Sequence, residues 1–279
     1  WIAEGFVKHE MGKTLEEVAQ QYLSGLVCRS LVQVSSFKID GKVERFRVHD
    51  LIHEMILSKG YRFCQYIDGP DQSASSRIVQ RLTIATDDFS GSIGSSPIRS
   101  IIIITVKDEK VSEHLVRKIP TNCMVLKVLD FEGSGLRYVP ENLGNLFHLK
   151  YLSFRHTRIK SLPKSIGKLQ NLETLDIRDT YVPEKPEIMK LTKLRHLLSH
   201  PISSIQWKDI GGMTALQEIP PLKIDDDGVV FREVGKLMQF RELTVAMFRG
   251  KHQNTLCSLI NKMPLLEKLL ILTTGESDE

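Results

Sequence analysis

Apolar residues at 15, 18, 19, 22, 23, 26 and 27 fall on one helical stripe, so the chain is expected to enter an amphipathic helix near Leu15. Thr14 with Glu17 three residues later has the form of a capping box, which places the helix start. Trp1 to Val7 reads as the end of a short preceding helix. Leu31 to Phe37 and Val43 to Val48 read as strands around Asp40-Gly41, a favoured hairpin turn. Leu51, Ile52, Met55 and Ile56 then share one face of a second helix. Between Met124 and Leu197 the pattern repeats. Leu126-x-x-Leu129-x-Phe131, Leu149-x-x-Leu152-x-Phe154 and Leu172-x-x-Leu175-x-Ile177 follow one another at a spacing of 23 residues. Each copy continues with a small hydroxyl residue (Ser134, Thr157, Thr180), an apolar residue (Leu136, Ile159, Val182) and a proline (Pro140, Pro163, Pro186).

A fixed period in the twenties headed by L-x-x-L-x-L is the signature of a leucine-rich repeat. Alternation makes one short strand per unit, with the leucines and Phe131, Phe154 and Ile177 facing inward. The hydroxyls stand where many such repeats carry an asparagine, and are expected to bond the backbone between turns. Leu162-Pro163-Lys-Ser-Ile166-Gly167 reads as convex-side packing and turn chemistry. Beyond Leu197 the pattern loosens, yet Leu216 to Ile219, Phe240 to Val245 and Leu266 to Ile271 still read as strands. The helix, hairpin and helix before the repeats look like the back half of a winged-helix module. The fold class expected is an α/β leucine-rich-repeat solenoid preceded by a partial winged-helix (α+β) domain. The divisions are 1–60 for the winged-helix part, 61–97 for a linker and pre-repeat segment, and 98–279 for the repeats. The polar run Asp68-Gly-Pro-Asp71 and Ser73 to Ser76 marks the linker, and Gln80-Arg81-Leu82-Thr83-Ile84 reads as a short strand-like run after it. Residues near 78–120 are expected to cap the first hydrophobic edge of the solenoid.

Composition narrows the functional classes. A net charge of +4 without a Lys/Arg cluster among aromatics does not favour direct nucleic-acid binding. Four dispersed cysteines without a C-x-x-C pair fit reduced thiols in an intracellular compartment. The longest purely apolar run, Ile101 to Ile104, is far too short to span a bilayer. The chain starts at Trp1 and reads as a piece of a longer one.

Three motifs suggest chemistry. Gly12-Lys13-Thr14 resembles the end of a phosphate-binding loop, but the glycine required five residues earlier is Val7, so it reads as a loop into the helix cap. Asp225-Asp226-Asp227-Gly228 resembles a calcium loop, with Val229 where an oxygen ligand belongs; an exposed turn accounts for it. In Val48-His49-Asp50-Leu-Ile-His53-Glu54 the two histidines share a helical face, as do the two acids. That spacing admits a metal site of an HD-type phosphohydrolase. A polar helix start with Asp50 at the N-terminal dipole is the simpler reading.

Trp1-Ile-Ala-Glu-Gly-Phe-Val, Glu16-Glu17-Val-Ala19, Tyr22-Leu23, Arg29-Ser30-Leu31-Val32 and Val48-His49-Asp50-Leu51-Ile52-His53-Glu54-Met55, continued by the repeats, resemble the nucleotide-binding leucine-rich-repeat receptors of plant immunity, coiled-coil class. The resemblance spans most of the chain. It implies that His49, supported by Asp50, approaches the β-phosphate of ADP in the resting receptor; Val48 replaces the family's methionine. ADP or ATP would belong to the intact receptor only, with no cofactor for this stretch alone and no enzyme activity. The implied setting is the cytoplasm, with at most peripheral association with the plasma membrane.

The variable strand positions are expected to point into the concave face as a partner surface: Lys127, Asp130, Glu132, Lys150, Tyr151, Ser153, Arg155, His156, Glu173, Asp176, Arg178, Asp179, Arg195 and His196. Partners implied are a pathogen effector or guarded host protein, and the receptor's own nucleotide-binding domain. A repeat scaffold that binds proteins without any nucleotide switch remains the alternative.

Overall fold

The computed structural model describes residues 1–37, 43–60, 63–69, 79–85, 93, 97–105, 111–182, 186–199, 207–223, 229–246 and 253–272. Helix α1 (Leu15–Cys28) starts at the expected cap: the Glu17 amide donates to Thr14 Oγ1 at 3.2 Å and the Thr14 amide to the Glu17 carboxylate at 2.6 Å. Strands β1 (Val32–Phe37) and β2 (Val43–Val48) pair antiparallel, and helix α2 (Asp50–Gly60) follows. The Asp40-Gly41 turn lies outside the described residues. Trp1 to Val7 is a hydrogen-bonded turn that closes as a helix end does: the Phe6 amide donates to the Trp1 carbonyl at 3.1 Å and the Gly5 amide to that of Ile2 at 2.9 Å, with Gly5 at a φ of +87° that suits a residue without a side chain.

A parallel sheet then runs without interruption through β3 (Cys64–Ile67), β4 (Arg81–Ile84), β5 (Ser100–Ile103), β6 (Val128–Asp130), β7 (Tyr151–Ser153), β8 (Thr174–Asp176) and β9 (His196–Leu198). Two of these strands come from the 61–97 linker and pre-repeat stretch: β4 matches the strand-like run at Gln80 to Ile84, whereas β3 stands where linker was expected. Leu82 and Ile84 are as deeply buried as the repeat leucines, so short apolar alternation outweighed the polar residues around it. Helix α3 (Glu113–Asn122) packs Leu115, Val116 and Ile119 against the same core. Beyond β9, Glu218 bridges to both His196 and Glu242. There β10 (Leu222–Lys223), β11 (Glu242–Ala246) and β12 (Lys268–Leu272) pair parallel, with helices α4 (Val229–Val234) and α5 (Gln253–Ile260) between them. Leu216 to Ile219 therefore supplies one bridging residue, Glu218, rather than a strand. The Asp225 to Gly228 stretch lies outside the described residues.

The inward set is buried as expected. Leu126, Leu129, Leu149, Leu152, Phe154, Leu172 and Leu175 have no exposed surface, and the Phe131 and Phe154 rings stack 5.6 Å apart. On the convex side, 3₁₀ turns at Glu141–Asn145 and Lys164–Lys168 lie over one another. Gly144 permits this approach: a Cβ there would meet Ser165 Cβ and the Ser165 carbonyl oxygen at 2.6 Å. A Gly144→Ala chain is expected to lose about 1–3 kcal/mol, since overpacking forces neighbouring repeats apart. Thermal unfolding checks this. Two of the three hydroxyls act within their own turns, Thr157 donating to the Phe154 carbonyl at 2.6 Å and Thr180 to that of Ile177 at 2.7 Å, while the buried Ser134 hydroxyl makes no such bond.

Candidate interaction site on the concave face

Strand register decides which variable residues lie together. Arg81, Ser100, Val128, Tyr151, Thr174 and His196 are successive register partners, forming one row across the sheet. This row is covered by the chain's own N-terminal segment. Glu4 pairs with Arg81 at 2.9 Å and accepts from Ser100 Oγ, while Phe6 stacks beneath the Arg81 guanidinium at 4.5 Å. At the far end, Glu16 on α1 pairs with Arg195 at 2.8 Å and His196 at 3.2 Å. Between these anchors lies a crevice of about 450 Å³, bounded by Trp1, Ile2, Ala3 and Ala19 above and Val128, Tyr151 and Thr174 below.

Electrostatics follow from that geometry. Burial disfavours the His196 imidazolium, but hydrogen bonds to Glu16 and Glu218 outweigh it and raise the pKa to about 9. Burial also opposes ionisation of Glu16, yet the His196 bond and the Arg195 charge hold it down at about 2. Among the described residues, Glu16 and Glu218 bond His196, and Arg195, Glu173, Glu17, Arg241, Glu242 and Glu267 line the crevices on either side of it. Because the His196 pKa rises on folding, its stabilising contribution is complete below 6.5 and is lost as pH climbs through about 9. That of Glu16 is complete above 4.5 and lost as pH falls towards about 2. Docking of α1 is therefore expected to be firmest between pH 4.5 and 6.5 and to loosen from pH 7 to 9. An NMR titration should place the His196 inflection near 9, and hydrogen exchange of the α1 amides should accelerate over the same range beyond its intrinsic pH dependence.

The remaining expected contact residues divide by depth. Ser153 and Asp176, expected on the contact surface, are buried at 0% and 2% exposure. Their side chains close the turn after the strand instead: Asp130, Ser153 and Asp176 each accept from the amide two residues on, at 2.9, 3.4 and 3.1 Å. Short polar side chains commonly make such turns. Desolvation there pushes the Asp130 carboxyl up, and burial likewise raises the Tyr151 hydroxyl above its usual range. Arg178 forks onto Asp176 and is raised by that bond. Arg155 reaches Glu132 at 3.3 Å and Asp179 at 3.8 Å, and His156 reaches Asp179 at 3.0 Å. Gly133, His156 and Asp179 occupy the same turn position with φ of 72°, 53° and 57°. The glycine of the first copy thus announced a left-handed site that histidine and aspartate tolerate in the next two. Lys150 pairs with Glu173 at 2.6 Å along the strand entrances, beside a half-buried Lys127.

His49 and Asp50 stand exposed at the start of α2. Lys13 pairs with Glu10 and Gln21, as befits a loop entering a cap. No group of three or more His, Cys, Asp or Glu able to hold a metal occurs among the described residues. Cys123 is buried, which pushes its thiol up to about 12 and leaves it inert. Among the described residues no helix is long and apolar enough to cross a membrane.

A solenoid with a winged-helix segment laid along its concave sheet defines the class, and similarity to known proteins agrees. Residues 1–56 match the winged helix domain of disease resistance proteins, and residues 98–279 match the leucine-rich repeat region. The chain is 34% identical over 298 residues to disease resistance protein RPM1 of Arabidopsis thaliana, covering 100% of this chain and 31% of that protein. It is 39% identical over 144 residues to disease resistance protein PIK6-NP of Oryza sativa subsp. japonica, covering 49% and 13%. An internalin from Listeria monocytogenes shares the fold at a TM-score of 0.50 and 16% identity, over 71% of this chain and 63% of that one. The chain belongs to the plant disease resistance proteins that join a winged-helix domain to a leucine-rich repeat region. It spans less than a third of the length of these curated relatives.

Proposed function

We propose that this chain is the sensing part of an intracellular plant immune receptor, in which the repeats recognise a pathogen effector or guarded host protein and also restrain the receptor. The single observation that carries the reading is the covered concave row, with Glu16 seated between Arg195 and His196. Residues placed to bind a partner are occupied by the chain's own winged-helix segment, so recognition and restraint draw on one surface. A ligand shifts such an equilibrium only by its differential affinity for the two states, and competition for one surface supplies that difference.

His49 and Asp50 sit on the same winged-helix segment, exposed at the α2 start, where an imidazole N–H can donate to a phosphate oxygen. In this reading they sense ADP in the intact receptor. His49→Ala or Asp50→Ala in the full-length receptor is expected to raise ligand-independent defence signalling several-fold, because the lost contact exists only in the resting state. Cell-death and defence-reporter assays without effector provide the readout. Unchanged resting activity would remove the nucleotide-sensing role and favour a non-signalling scaffold.

A further inference from the structure

We propose that Arg195 and His196 form a carboxylate receptor, filled by Glu16 in cis here, that an acidic helical segment of a partner protein occupies in trans when α1 leaves. This rests on the docked arrangement above and adds the chemistry that competes with it. Each Glu16 oxygen takes one cation: Oε2 accepts from Arg195 Nη2 at 2.8 Å and Oε1 faces His196 Nε2 at 3.2 Å. The cations belong to the floor and not to the helix. Their side chains are 17% and 19% exposed, and the Arg195 and His196 amides both donate to the Glu173 carbonyl. Gln217 holds Arg195 at 3.3 Å and Glu218 holds His196 at 3.4 Å, so both keep their aim when the carboxylate departs. What then remains is a pair of donors still aimed by Gln217 and Glu218, with the valence that Glu16 filled open to another carboxylate.

The surroundings select the occupant. Glu173 and Glu218 border the site, which disfavours a dianionic phosphate and suits a single carboxylate. Beside it the floor offers Tyr151, Val128 and Thr174, and the helix meets them with a small residue, Ala19, three positions after Glu16. A matching partner therefore presents an acidic residue and, one turn later, a small one on the same helical face.

The test uses the full chain carrying Glu16→Ala, which vacates the receptor, and a labelled peptide of residues 10–29 as probe. Fluorescence anisotropy should show saturable binding to this variant, and about tenfold weaker binding of the same peptide carrying Glu16→Gln, the loss expected for one charge-assisted contact. Adding Arg195→Gln to the chain should erase the difference between peptides, and the unsubstituted chain should bind neither. Equal binding of the two peptides, or no binding, overturns the carboxylate receptor. Hydrogen exchange of Leu15–Cys28 in the Glu16→Ala chain separates the two ideas. Faster exchange with equal peptide binding leaves the docked reading standing and removes the receptor. Unchanged exchange means the pair does not hold α1, and both fall.

Discussion

Reversing the charge of Glu16 with Glu16→Arg should release α1 from the concave face, and Arg195→Glu in the same chain should restore it. In the single variant the introduced guanidinium would face both Arg195 and His196, crowding like charges into one half-buried site. Hydrogen bonds to charged groups contribute about 1.5–3 kcal/mol each, and the partial exposure of Glu16 argues for the lower end once solvent screening is counted. The sum still approaches a tenfold or larger shift in the docked population, before any repulsion is added. Limited proteolysis and hydrogen exchange across Leu15–Cys28 provide the readout, and in the full-length receptor the single variant should signal without effector. The swap carries the diagnostic weight, since a structural defect of the helix would not be repaired from a residue 179 positions away. Failure of the double variant to recover protection would show that the ion pair is incidental to docking.

The second large effect is in the core. Leu152→Ala removes a side chain with no exposed surface from the middle of the repeat stack, packed between the equivalent leucines of its neighbours, Leu129 and Leu175. The expected cost is about 2–5 kcal/mol from lost transfer energy and the cavity left behind. In a solenoid each unit is stabilised by its neighbours, so the loss should also appear as broadened unfolding, with the β6–β8 region exchanging first. Chemical denaturation with site-resolved exchange checks it. A shift below about 1 kcal/mol would mean that the repeats collapse around the gap.

Much of this architecture is legible in the residues alone. Thr14 and Glu17 mark the start of α1 because a capping box depends on four consecutive residues. The spacing of 23 placed Val128 against Tyr151 and Tyr151 against Thr174, since identical units can only stack in register. Other features depended on context that no local pattern carries. Ser153 and Asp176 alternate outward on paper, yet they fold back onto the amides of Arg155 and Arg178 and are buried. Strand β4 shows in the alternation of Gln80 to Ile84, but β3 lay beside a stretch whose glycine, serines and aspartates spoke for a linker, and only the sheet edge it extends revealed it.

The sequence by itself determined the winged-helix and leucine-rich-repeat organisation, the buried leucine ladder and the kinship with plant disease resistance proteins, because periodicity and short motifs act over a few residues. The tertiary structure alone decided that one concave row, from Arg81 to His196, is covered by the N-terminal segment through Glu4 and Glu16. The physical reason is distance along the chain: a carboxylate chooses among many cations, and only the folded sheet brings Arg195 and His196 to the same point in space.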